Sequence, residues 1–98
     1  MTNTIPVTKE IVDAHKMVMA RMTVLANALC EIDNTMSVDV EWSTRPSCIH
    51  IRLYKWDDAH SIPFSDGYNW YYDRKNAHET KEKLFAKIAE WEAKYGLE

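Results

Sequence analysis

Val38-Asp39-Val40-Glu41-Trp42 and Cys48-Ile49-His50-Ile51-Arg52-Leu53 decide the fold, because in both stretches apolar and polar residues alternate one by one. Strict alternation marks a strand with one buried face. Slipping the pairing by a single residue would turn an apolar set toward solvent, so the pattern fixes the register. It sets Trp42 opposite Ile49, Val40 opposite Ile51 and Val38 opposite Leu53, and leaves Thr44-Arg45-Pro46-Ser47 as a four-residue loop.

Working outward, a tight turn at Asp57-Asp58 would set Leu53 opposite Ile62 and Ile51 opposite Phe64. Ser65-Asp66-Gly67 then fits a second hairpin with Gly67 in the left-handed conformation, placing Phe64 opposite Tyr68 and Ile62 opposite Trp70. The pattern thus predicts strands over 37–43, 48–56, 59–64 and 68–73. Alternation sends Tyr68, Trp70 and Tyr72 inward and leaves Tyr71 outside.

Helices flank this meander. Thr8 can cap a helix over 8–33 whose stripe is Ile11, His15, Val18, Met22, Leu25, Leu29 and Ile32, with gaps alternating four and three. Asn76-Ala77-His78-Glu79 has capping-box spacing and opens a helix over 77–95. Its stripe is Leu84, Ile88, Trp91 and Tyr95, and Gly96 suits the C-terminal cap. The expected fold is therefore α+β: one domain over 1–98, a two-layer sandwich of order αββββα, with two helices on one face of a four-stranded antiparallel meander.

The totals exclude more than they assign. A hydrophobic fraction of 46% over 98 residues is ample for a packed core. Twelve basic against fifteen acidic residues give a charge of −3, neither a nucleic-acid-binding excess nor the acidity of a DNA mimic. Cys30 and Cys48 have no CxxC or Cys/His ligand spacing, and the N-terminus has no basic stretch followed by an apolar run. Both features point to a reduced, cytoplasmic protein. Met17–Cys30, the most apolar stretch, is too short to span a membrane and carries Arg21.

The register has a chemical consequence. It lays Asp39 opposite Arg52 and Glu41 opposite His50 on the outward sheet face, with Tyr54, Asn69 and Tyr71 nearby. Opposed residues sit about 5 Å apart at Cβ, close enough for ion pairs. Glu41 could orient His50 as a general base, with Arg52 as an anion clamp, but no nucleophile or cofactor loop accompanies them. With Gly67 and Gly96 as its only glycines, the chain cannot build a phosphate-cradling loop. His15, His50, His60 and His78 form no i,i+4 pair, and neither metal nor cofactor is expected. A polar-aromatic face for binding another protein is the better reading of Asp39, Glu41, His50, Arg52, Tyr54 and Tyr71.

The second helix starts near Arg74, Lys75, Lys81, Lys83 and Lys87. Helix, strands, helix with lysines there is similar in general layout to the double-stranded-RNA-binding domain, which would imply a nucleic-acid partner. The long apolar first helix departs from that pattern, a glycine-rich basic start is missing, and Glu79 and Glu82 interrupt the charge.

The first helix would extend about 39 Å at 1.5 Å per residue, whereas four strands at about 4.8 Å spacing span roughly 15 Å. Met17, Met19, Met22, Val24, Leu25 and Ala28 therefore need a further cover, and a twofold copy of the same helix is the expected one. A different protein docking on the stripe is the alternative. The sequence thus points to a non-enzymatic, cytoplasmic protein that dimerises through its first helix and acts by protein–protein contact. That is compatible with an accessory or inhibitor protein of a phage or mobile element. The alternatives are a nucleic-acid-binding domain using the basic start of the last helix, and a small enzyme using Glu41 and His50.

Overall fold

A computed structural model describes residues 7–32, 35–45, 47–55 and 64–96. Its elements are α1 (Lys9–Ile32), β1 (Met36–Thr44), β2 (Ser47–Lys55), β3 (Phe64–Tyr71) and α2 (Ala77–Lys94). The class is α+β, with a three-stranded antiparallel sheet in the order β1-β2-β3. Among the described residues the element order is αβββα, which does not match the expected αββββα.

The first hairpin has the register that alternation requires: Trp42 opposite Ile49, Val40 opposite Ile51, Val38 opposite Leu53. The ladder runs one rung further than expected, to Thr44 opposite Ser47, where the Ser47 hydroxyl donates to the Thr44 carbonyl at 3.3 Å.

The second half of the meander differs. The expected strand over 59–64 lies outside the described residues except for Phe64, which opens β3, and the turn at Asp57-Asp58 lies outside them too. Ser65-Asp66-Gly67 is no hairpin but part of β3, and the left-handed glycine is Gly96, with φ of 75°. In place of the expected partners, Ile51 faces Tyr68, Ile49 faces Trp70 and Leu53 faces Asp66. This pairing still buries Trp70 and Tyr72 on the same face as Ile49, Ile51 and Leu53. It also carries Asp66 inward, where the carboxylate meets donors from α2: Trp91 Nε1 at 2.9 Å and Lys87 Nζ at 3.3 Å. An inward carboxylate is tolerable only because those donors satisfy it. The turn signal in Ser65-Asp66-Gly67 was overruled by partners far along the chain.

Both helices cover the inner face. Ile11, Ala14, Val18, Met22, Leu25 and Leu29 of α1 are buried with Leu84, Ile88 and Trp91 of α2. At the start of α1, Thr8 Oγ1 accepts from the Ile11 N–H at 3.3 Å. Asn76 makes no side-chain cap bond, against the capping-box expectation, because its backbone (φ −93°, ψ 24°) is not extended as that motif requires.

His15 stacks on Trp42 at 4.4 Å, while Leu29 and Ile32 share a groove with Met36. Helix α1 therefore runs antiparallel to β1 and along it. Its 24 residues extend about 36 Å, to be matched against the length of the strands, not the width of the sheet. Glu10 bonds Lys81 at 3.2 Å, and Arg21 Nε bonds Glu92 at 3.0 Å, so α2 lies parallel to α1. The Arg21 bond holds the Glu92 carboxyl below its ordinary range.

This packing divides the expected dimer residues. Met22 and Leu25 belong to the chain's own core, at 1% and 0% exposure, because α1 lies flat along β1. Met17, Met19 and Val24 remain exposed at 55%, 40% and 58%, and Ala28 is half-buried. Ile32, expected on the buried stripe, is 61% exposed.

Candidate functional site

The outer face of the sheet is built in four rungs, because strand alternation sends every second side chain away from the helices. They are Ser37–Tyr54–Ser65, Asp39–Arg52–Gly67, Glu41–His50–Asn69 and Ser43–Cys48–Tyr71. All six residues expected on the contact face (Asp39, Glu41, His50, Arg52, Tyr54 and Tyr71) lie on these rungs. Both described helices pack on the opposite face.

The expected pairs are adjacent but not joined. Arg52 lies across from Asp39, yet its guanidinium sits 4.2 Å over the Tyr54 ring. Its Nε is buried and has no hydrogen-bond partner among the described residues. His50 lies across from Glu41, yet its Nδ1 bonds the Asn69 side-chain oxygen. Asp39 and Glu41 are both exposed, and among the described residues neither makes an ion pair. In the alternative reading Glu41 would orient His50, whereas here the His50 Nδ1 is taken by Asn69. Among the described residues no three His, Cys, Asp or Glu side chains gather to hold a metal, and no helix is long and apolar enough to cross a membrane.

Two features of the face were not legible in the sequence. Arg74, from the turn after β3, reaches back over Tyr71 at 4.8 Å. Gly67 brings the β2 and β3 backbones so close that a Cβ there would stand 2.6 Å from the Ile51 carbonyl oxygen. The first follows from the turn in which the Arg74 N–H donates to the Tyr71 carbonyl, the second from the β2–β3 register, which no local pattern encodes.

Three of the four lysines of α2 are engaged by carboxylates. Lys81 pairs with Glu10 at 3.2 Å and Lys83 with Glu79 at 3.5 Å. Lys87 pairs with Asp66 at 3.3 Å and Glu90 at 3.0 Å. Of the basic residues near the start of α2, Lys81, Lys83 and Lys87 are thus paired, whereas Arg74 and Lys75 are exposed.

Cys48 closes the last rung at 8% exposure, and burial, aided by the Glu41 and Asp73 carboxylates, pushes its thiol above the ordinary range. Cys30 is exposed on α1. A thiol-specific reagent should therefore label Cys30 in the folded protein and Cys48 only in denaturant, because the thiolate is the nucleophile. Rapid labelling of both thiols would show that this end of the sheet opens.

No family model, curated protein or solved structure matches the chain.

Proposed function

We propose that the protein is non-enzymatic and acts in the cytoplasm by protein–protein contact, binding a protein partner on the outer sheet face. The observation that carries this reading is Arg52, whose buried Nε has no hydrogen-bond partner among the described residues while its guanidinium rests on Tyr54. A buried unsatisfied donor is costly, and a partner's acceptor that draws the guanidinium off the Tyr54 ring would relieve it. Arginine and tyrosine are also the residue types that anchor protein interfaces. The pairing of Lys81, Lys83 and Lys87 with carboxylates favours a protein over a nucleic acid as that partner.

Self-association through α1 belongs to the same proposal, reduced to the residues the fold leaves open. Met17 and Val24 are two turns apart on one flank, Ala28 lies beside them, and Met19 lies on the other flank. A twofold copy packed on the first flank would cover Met17, Val24 and Ala28.

Arg52→Glu should abolish partner capture and leave circular dichroism and molar mass unchanged. Normal capture by the variant would sink the assignment of the face. Val24→Asp should convert a dimer to monomer in light scattering, and a wild type that is monomeric at every concentration would overturn the dimer.

A further inference from the structure

Among the described residues strand β1 is an edge of the sheet, and its hydrogen-bonding groups can be assigned. The Ser47 carbonyl accepts from the Tyr72 N–H at 3.2 Å, so the main-chain groups of Ser47 face β3. In an antiparallel ladder this direction alternates, so those of Cys48, His50 and Arg52 face β1. Their partners Ser43, Glu41 and Asp39 bond back to β2. The N–H and C=O groups of Val38, Val40 and Trp42 therefore point out of the sheet, and among the described residues no strand meets them.

Exposed edges are normally blunted by proline, lysine or a bulge. Met36–Thr44 contains no proline or lysine, and each of its residues pairs one-to-one with β2. Its charges are Asp39 and Glu41, both without an ion-pair partner among the described residues. They occupy the positions that do not hydrogen-bond outward, where the side chains of an added strand would approach most closely.

That charge pattern selects the occupant. A second copy paired antiparallel about Val40 would set Asp39 against Glu41 of the other copy, twice, so self-pairing in that central register is opposed. A strand with Lys or Arg at two alternate positions would instead neutralise both carboxylates. Its intervening apolar side chains would lie beside Val38, Val40 and Trp42, all only partly buried. Met19, exposed one turn beyond the His15 that stacks on Trp42, overhangs that side.

We propose that β1 is a docking edge for an extended, basic segment of a protein partner, which adds to the sheet as a fourth strand. The inference rests on the outer face being a protein-contact surface, and it specifies the chemistry of the partner.

The test uses two capped nonapeptides, valine-rich, with two lysines or two glutamates at central alternate positions. The lysine peptide should bind the intact protein and the glutamate peptide should not. Binding should slow amide exchange at Val38, Val40 and Trp42 by roughly tenfold or more. Val40→Pro removes an outward N–H without touching the β1–β2 ladder and should abolish binding, whereas Ser65→Pro on the far edge should not. The double reversal Asp39→Lys/Glu41→Lys, at exposed positions that tolerate it, should invert the peptide preference. Binding that leaves the β1 amides unprotected and survives Val40→Pro would overturn strand addition while leaving the outer face as the contact surface. Failure of the lysine peptide to bind would overturn the edge proposal, with the Arg52→Glu capture result deciding the face separately.

Discussion

Trp91→Ala should lower the unfolding free energy by about 3–5 kcal/mol, the largest loss expected from a single truncation in this chain. Trp91 is 2% exposed, at the centre of the layer between α2 and the sheet. Its removal leaves a large cavity and also takes a donor from Asp66, which the indole meets at 2.9 Å. Trp91→Phe separates the two effects. It keeps most of the ring and loses the hydrogen bond, so about 1–2 kcal/mol should be lost. Urea unfolding followed by circular dichroism measures both, and an Ala variant within about 1 kcal/mol of wild type would refute the packing described.

The same network gives a pH dependence of known sign. Burial alone would push the Asp66 carboxyl up, but the Trp91 indole, the Lys87 ammonium and the Gly67 N–H all donate to it, and the net effect is below its ordinary value. A carboxyl whose folded pKa is depressed contributes stability that is present above the ordinary aspartate range. That contribution is lost as pH falls through the folded value. Asp66→Asn should therefore flatten the acid limb of stability against pH, and an unchanged limb would place Asp66 outside the network.

Gly67→Ala should cost about 2–3 kcal/mol. The added Cβ would stand 2.6 Å from the Ile51 carbonyl oxygen and 3.4 Å from Arg52 Cα. Both are backbone atoms, so no side-chain rotation relieves the clash and the β2–β3 ladder must shift. Gly96 is the contrast: at φ 75° nothing lies within 4 Å of its would-be Cβ, and Gly96→Ala should cost about 1 kcal/mol through backbone conformation alone. Asparagine separates the two causes, because it tolerates the left-handed region but still carries a Cβ. Gly96→Asn should be mild and Gly67→Asn as damaging as Gly67→Ala. A mild Gly67→Asn would restore the hairpin turn that the local sequence predicts.

The outer sheet face and the first hairpin were legible for one reason. In Val38–Trp42 and Cys48–Leu53 the period of two is unbroken, and a slip of one residue would expose every apolar side chain, so Asp39, Glu41, His50 and Arg52 had to share the outer face. The side-chain partners on that face were not legible, since Arg52 chose Tyr54 over Asp39 and His50 chose Asn69 over Glu41. Neighbours along the strand and on the third strand compete for the same groups, and alternation ranks none of them.

By itself, then, the sequence determined the two helices, the register of β1 on β2, and which side chains look outward. Each is a local periodicity set by burial of one face. Only the tertiary structure decided that Ser65-Asp66-Gly67 is strand, that Asp66 points inward, and that Met22 and Leu25 lie in the chain's own core. Those outcomes depend on Lys87 and Trp91 arriving from α2 and on α1 lying along β1. A contact between distant segments leaves no period in the chain, and its energy outweighs the turn preference of three residues.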